Sequence, residues 1–210
     1  HGSYPYVTSS HTLAGAACTG AGVGPTTIDA VLGAVKAYTT RVGEGPMPTE
    51  LDDRVGEQLA RQGRERGATT GRPRRCGWLD AVALRRAVLL HGATSLALTK
   101  LDVLQGIDPL RIAVEYELDG ERIDAPPPDA AAWARCVPIY EEHAGWREPL
   151  VDARSWGDLP TAAQAYVRRI EQLCGVPVDL VSVGPQRDAV IALGDPWARS
   201  ELLDKRVPST

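Results

Sequence analysis

Two short segments that read as buried strands, Leu96-Ala97-Leu98 and Val178 to Val183, each follow an amphipathic stretch closed by a glycine, and this repeated pairing constrains the fold most. Asp80 to His91 carries Val82, Leu84, Val88 and Leu89 at helical spacing and stops at Gly92. Pro160 to Cys174 has the same amphipathic pattern and stops at Gly175. Strands separated by helices cannot be joined by tight hairpins, so they pair in parallel and need helices over the sheet. The expectation is an α/β fold, a mostly parallel sheet flanked by helices.

The remaining segments fill in around this frame. Residues 5 to 25 are rich in Thr, Ser, Gly and Ala and read as loop, with Thr26 or Thr27 placed to cap a short helix. Val31 to Arg41 reads as one strand, broken by Gly43-Glu44-Gly45-Pro46-Met47-Pro48. Leu51 to Arg66 has helical spacing. Arg111 to Leu118 and Glu121 to Ile123 flank Asp119-Gly120, a signal for a small hairpin excursion. Asp124 to Asp129 is a proline-rich surface segment, and Val137 to Tyr140 is a further strand candidate.

With 210 residues, 43% of them hydrophobic, the chain can build one sizeable core or two. No apolar run reaches the ~18 residues of a membrane span, and a net charge of -4 argues against general nucleic-acid binding. Neither a membrane nor a nucleic acid is expected as a partner. Cys18, Cys76, Cys136 and Cys174 show no paired or metal-ligand spacing, so reduced thiols in a cytoplasmic protein are expected. His11, His91 and His143 suggest no metal site. The chain opens on His1-Gly2-Ser3 without a methionine, which suggests a piece of something longer.

Thr69-Thr70-Gly71-Arg72-Pro73-Arg74-Arg75 concentrates two hydroxyls, a glycine and three guanidiniums. A guanidinium grips a carboxylate or phosphate through two parallel hydrogen bonds, and Pro73 stiffens the loop that presents them. The competing reading is a solvated basic turn. Thr99-Lys100-Leu101-Asp102 follows a short apolar strand, where an open α/β sheet binds ligands. An ionised Asp102 accepts two hydrogen bonds, which guanine offers from a ring N–H beside an amine and adenine does not. The Lys100 stem can lie over a purine ring. Ser182-Val183-Gly184-Pro185 has the same placement, with small residues that admit a planar base. For both segments the alternative is a plain turn after a strand. Pro5 to Ser10 offers hydroxyls and free amides for an anion. Of the three lysines, Lys36, Lys100 and Lys205, none sits in a GxxxxGK[ST] phosphate loop. If a nucleoside triphosphate binds here, this segment reads its base and another holds its phosphates.

These motifs in this order resemble adenylosuccinate synthetase. The likeness runs from His1-Gly2-Ser3-Tyr4-Pro5-Tyr6-Val7-Thr8-Ser9-Ser10 through Lys36 to Pro46, Thr69 to Trp78, Leu98 to Leu104 and Val181 to Arg187, to about Asp195-Pro196. It implies a P-loop-NTPase-like fold of which residues 1–210 are the C-terminal portion of a single domain. The aspartate loop is then 68–75 and the guanine segments are 99–102 and 182–185. The implied reaction is GTP-dependent ligation of L-aspartate to IMP, giving adenylosuccinate, GDP and phosphate in AMP biosynthesis. Mg²⁺ is the implied cofactor, and a cytoplasmic homodimer the implied assembly.

The resemblance also assigns residues. Thr8, Val42 and Arg72 correspond to contacts to IMP; Thr69, Thr70, Gly71, Arg72 and Arg74 correspond to the loop that closes on aspartate. Arg74, Lys100, Leu101, Asp102, Ser182, Val183, Gly184 and Pro185 correspond to GTP contacts. No catalytic residue and no metal ligand falls in this chain. The phosphate loop, the Mg²⁺ aspartate and the catalytic aspartate and histidine belong to the family's N-terminal half, so these 210 residues alone are expected not to turn over. At 9–16 the family's usual Ser-Ser-Asn-Thr-Thr-Ala-Gly-Gly is Ser-Ser-His-Thr-Leu-Ala-Gly-Ala here, which alters that loop's contacts. Two other readings stay open: a non-catalytic module that binds nucleotides or carboxylates, and a relative acting on another purine monophosphate.

Overall fold

The computed structural model describes residues 3–8, 10–67 and 71–198. In chain order the elements are α1 (Ala16–Ala21), β1 (Leu32–Lys36), β2 (Thr39–Val42), α2 (Arg54–Gln62), β3 (Arg74–Gly77), β4 (Leu79–Asp80) and α3 (Ala81–His91). They continue with β5 (Ser95–Thr99), β6 (Leu110–Leu118), β7 (Glu121–Ile123), α4 (Ala130–Arg135), β8 (Val137–His143), α5 (Thr161–Cys174), β9 (Val178–Ser182) and β10 (Val190–Ala192).

The central sheet has the order β1-β5-β9-β10. β5 pairs in parallel with β1 on one side and β9 on the other, as the helix-strand alternation requires, and β10 closes the edge antiparallel to β9. Its two inner strands, β5 and β9, line the core. Leu96 and Leu98 of β5 and Val181 of β9 are buried, and so are Tyr166, Val167 and Ile170 on the inner face of α5. Removing such side chains from water is the main favourable contribution to this packing. Helices α3 and α5 pack on one another, and each ends on a glycine in the left-handed region, Gly92 and Gly175.

Three expectations need correction. The single strand over Val31 to Arg41 is two strands in two sheets. After Lys36 the chain turns through Ala37 and Tyr38, both buried, and β2 leaves β5 to pair antiparallel with β3. The Ala37 amide still bonds to the Thr99 carbonyl, while its carbonyl accepts from the Tyr166 hydroxyl at 2.8 Å, which fixes the corner. The helix expected from Leu51 begins at Arg54 instead, because the Asp53 carboxylate caps it by accepting from the Val55 and Gly56 amides. Neither Thr26 nor Thr27 caps an α-helix: Pro25–Thr27 is a single 3₁₀ turn, and the loop before it holds the short α1.

The hairpin of β6 and β7 forms as expected around Asp119-Gly120, but it is part of something larger. β6 also pairs with β4 and with β8, giving a second four-stranded sheet. Asp80 ties this sheet to α3: its carboxylate caps the helix through the Ala83 amide and accepts from the Tyr116 hydroxyl. Cys18, Cys76, Cys136 and Cys174 are free thiols. Among the described residues, no helix is long and apolar enough to cross a membrane.

Candidate functional site

The parallel strands end on a common edge, and the ladder registers state how. Lys36 at the end of β1 stands opposite Thr99 at the end of β5, and Leu98 of β5 stands opposite Val181 of β9. The turns that follow, 99–102 and 182–185, are therefore neighbours, and the 3₁₀ turn Leu101–Leu104 packs against β9. This is the carboxyl-end edge where an open α/β sheet takes ligands.

Lys100 adopts left-handed backbone angles, φ 61° and ψ 32°, which swings the chain sharply off β5 into that turn. Leu101 is fully buried and anchors the turn, while Asp102 is only half-buried. The amides of Asp102 and Val103 lie beside the Asp102 carboxylate, and the Val103 amide donates to the Lys100 carbonyl at 3.2 Å. Burial raises the Asp102 pKa, opposed by those amides and by the Lys100 charge. In the second turn Val183 is buried too, and the Ser182 hydroxyl donates to the Gly184 carbonyl at 3.0 Å. Two of the expected guanine contacts, Leu101 and Val183, thus have side chains in the core. Only their backbone can meet a ligand.

The arginine loop is the tip of a narrow two-stranded excursion. Arg66 and Pro73 form an antiparallel bridge, and the Gly67 amide donates to the Arg72 carbonyl at 2.8 Å. Gly71 takes φ +67°, a turn conformation a glycine adopts without strain. Thr69 and Thr70 lie outside the described residues. Arg72 is exposed at the tip. Arg75 points elsewhere: it pairs with Glu50 and donates to the carbonyls of Gly43 and Gly45, holding the 43–46 loop against β3.

Glu65 joins the arginine loop to the edge of the sheet. Its carboxylate is fully buried. Oε2 accepts from Arg74 Nη1 at 2.7 Å and from Lys36 Nζ at 2.9 Å. Oε1 accepts from Lys100 Nζ at 2.8 Å, from Lys36 at 3.0 Å and from the Tyr38 hydroxyl. Burial alone would raise its pKa, but the hydrogen bonds from Lys100, Lys36, Tyr38 and Arg74 outweigh it and hold the carboxyl at about 2. Lys36 moves the other way: desolvation and the nearby Lys100 and Arg74 charges pull its pKa below the usual lysine range despite the Glu65 partner. The expected aspartate-binding Arg74 and the expected guanine-binding Lys100 therefore meet on a single carboxylate.

Of the expected IMP contacts, Arg72 stands in the arginine loop, while Val42 and Thr8 lie on the β2 side of it. Val42, partly exposed, stands opposite Arg74 in the β2–β3 ladder. Arg41 beside it reaches Ser3 Oγ at 2.9 Å and the Tyr6 carbonyl, which ties the Thr8 segment to the same loop. Thr8 is exposed on the wall of an open hollow of about 850 Å³ between residues 3–8 and 10–13, α3 and Pro126 to Pro128. His11 and Leu13 line that hollow, and the Ala14 amide donates to His91 Nδ1 at 3.2 Å.

Comparison with known proteins decides the family. The adenylosuccinate synthetase family model matches residues 1–191. This chain belongs to the adenylosuccinate synthetase family. It is 54% identical over 198 residues to the adenylosuccinate synthetase of Stenotrophomonas maltophilia, covering 94% of this chain and 46% of that relative. Over 197 residues it is 56% identical to the one from Syntrophotalea carbinolica, with the same two coverages. A solved structure of fully ligated adenylosuccinate synthetase from Plasmodium falciparum superimposes with a TM-score of 0.88 at 37% identity, over 91% of this chain and 46% of that one. The chain spans about half the length of the curated relatives it matches.

Sequence reasoning missed Glu65, Lys36 and Tyr38. Glu65 sits between Arg64 and Arg66, which reads as solvated charge. A usable signal existed in Lys36-Ala37-Tyr38: two polar tips on one face at the carboxyl end of a buried strand, with a carboxylate needed to satisfy them.

Proposed function

We propose that this chain supplies the guanine-reading and aspartate-binding parts of an enzyme that ligates L-aspartate to IMP at the expense of GTP, giving adenylosuccinate, GDP and phosphate. The observation that carries this reading is the convergence of Arg74 and Lys100 on Glu65 at the carboxyl-end edge of the parallel sheet, within a chain of the adenylosuccinate synthetase family. The half-buried Asp102 takes the ring N–H and exocyclic amine of guanine, and the 182–185 backbone flanks the base. Arg72, Arg74 and the 69–71 loop hold the carboxylates of aspartate, and Thr8 and Val42 face IMP.

In this reading the chain's contribution is positioning and charge. Phosphoryl transfer to the IMP 6-oxygen, followed by displacement of phosphate by the aspartate amine, demands that three substrates meet in one geometry. Guanidiniums beside the site offset the negative charge of aspartate and nucleotide. Mg²⁺ accompanies the nucleotide and neutralises its phosphates; no group of three His, Cys, Asp or Glu among the described residues forms a site for it, and its ligands are assigned to no residue here. The assembly proposed is a homodimer in the cytoplasm. The test is conversion of IMP, GTP and aspartate by the full-length protein, with adenylosuccinate followed by its absorbance. Strict dependence on all three substrates is expected. GTP binding without product would favour the non-catalytic module instead.

A further inference from the structure

We propose that Glu65 is a positioning residue whose single buried carboxylate sets Arg74 and Lys100 together, so that the aspartate loop and the guanine turn keep one mutual geometry. The proposal rests on the functional reading above and adds to it a residue that touches neither substrate.

The arrangement is poorly explained as a stabilising ion pair. Burying a carboxylate carries a large desolvation cost, and a buried pair is often no better than apolar packing for stability. Here the carboxylate is saturated: its two oxygens receive five donor contacts from four side chains. The donors come from four separate places, the end of β1, the corner before β2, the start of β3 and the turn after β5. Two of them are expected ligand-binding groups, and both are only partly buried. Lys100 is fixed further by the Gly63 carbonyl at 2.6 Å, so its ammonium is held on the α2 side. Lys36 is fixed by Thr40 Oγ1 at 2.8 Å.

Charge adds a second argument. Lys36, Arg74 and Lys100 carry three positive charges against the one negative charge of Glu65. The cluster is thus cationic overall, beside a site proposed for anions. Glu65 holds like charges close enough to act together and leaves the remaining guanidinium donors of Arg74 for another acceptor. Neutralising Glu65 lets the cations separate, and each site loses its placed donor.

The experiment is steady-state kinetics of the full-length protein and its Glu65→Gln variant, varying GTP and aspartate separately. KM for GTP and KM for aspartate are expected to rise together by about tenfold, the scale of a misplaced charge-assisted hydrogen bond, in a variant with wild-type circular dichroism. A purely structural role would lower the folded fraction and kcat with both KM values unchanged. A double-mutant cycle separates the two: Glu65→Gln added to Lys100→Met raises KM for GTP no further if Glu65 acts through Lys100, and multiplies it if the roles are independent. If Glu65→Gln does not fold, Tyr38→Phe carries the test, removing one donor to Oε1 while keeping the ring; both KM values then rise by about two- to threefold. KM values unchanged in a folded variant, with the wild type active, overturn the Glu65 role alone. A wild type that makes no adenylosuccinate overturns the functional reading and this proposal with it.

Discussion

Replacing Asp102 with Asn isolates the proposed guanine contact. The turn is held by its backbone, with the Val103 amide on the Lys100 carbonyl and the Gln105 amide on the Asp102 carbonyl, and Asn keeps the side chain's size, so the turn is expected to keep its fold. What changes is the outward edge. A carboxylate offers two acceptors to the paired N–H groups of guanine, whereas an amide offers one acceptor and sets a donor against the second N–H. A hydrogen bond to a charged group contributes about 1.5–3 kcal/mol. Asp102 is half-buried, so solvent screens part of this and the lower half of the range applies. A loss of about 2 kcal/mol corresponds to a roughly thirtyfold rise in KM for GTP. The assay compares GTP with ITP, whose base lacks the exocyclic amine. Wild type should prefer GTP by roughly tenfold, one hydrogen bond's worth, and Asp102→Asn should narrow that preference. An unchanged KM for GTP, or an unchanged GTP/ITP ratio, refutes the base-reading role.

Three further outcomes follow from the geometry. Arg72→Leu should raise KM for aspartate by about tenfold or more and leave KM for GTP nearly unchanged, since an exposed guanidinium proposed for the aspartate carboxylates is the group removed; equal effects on both substrates would place Arg72 elsewhere. Gly63→Ala should destabilise the fold by about 1–3 kcal/mol, because its Cβ would lie 2.1 Å from the Tyr38 hydroxyl and 2.8 Å from the Leu59 carbonyl; an unfolding midpoint equal to wild type contradicts that packing. Glu65 has a folded-state pKa of about 2, below its ordinary 4.5, so its contribution is present above pH 4.5 and is lost as pH falls toward 2. Urea unfolding between neutral pH and about pH 3 should show about 2 kcal/mol of acid destabilisation that Glu65→Gln lacks; parallel pH profiles for the two proteins would deny the buried charge.

Much of the fold was legible because its signals are local. Asp80 and Gly92 bracket α3, Gly175 stops α5, and Asp119-Gly120 turns the hairpin, each through backbone chemistry confined to a few residues. The break at Ala37-Tyr38 was not legible, since nothing in an alternating apolar run announces a change of partner strand. The position of Asp53 as the α2 cap was open to recognition, but the apolar spacing from Leu51 concealed it. At the site, the two turns could be placed on one edge from their position directly after parallel strands, whereas their link could not. Glu65 lies 35 residues from Lys100 in sequence and 29 from Lys36, and only the tertiary fold brings a buried carboxylate between them. Val183 and Leu101 show the converse: motif membership named them, and burial assigns their side chains to the core.

The most direct measurement is a crystal structure of the full-length protein with a guanine nucleotide bound. The account predicts the base seated between the 99–102 and 182–185 turns, its N–H edge on the Asp102 carboxylate and the Lys100 stem across its face. A base bound away from this edge, with Asp102 facing solvent, would contradict it.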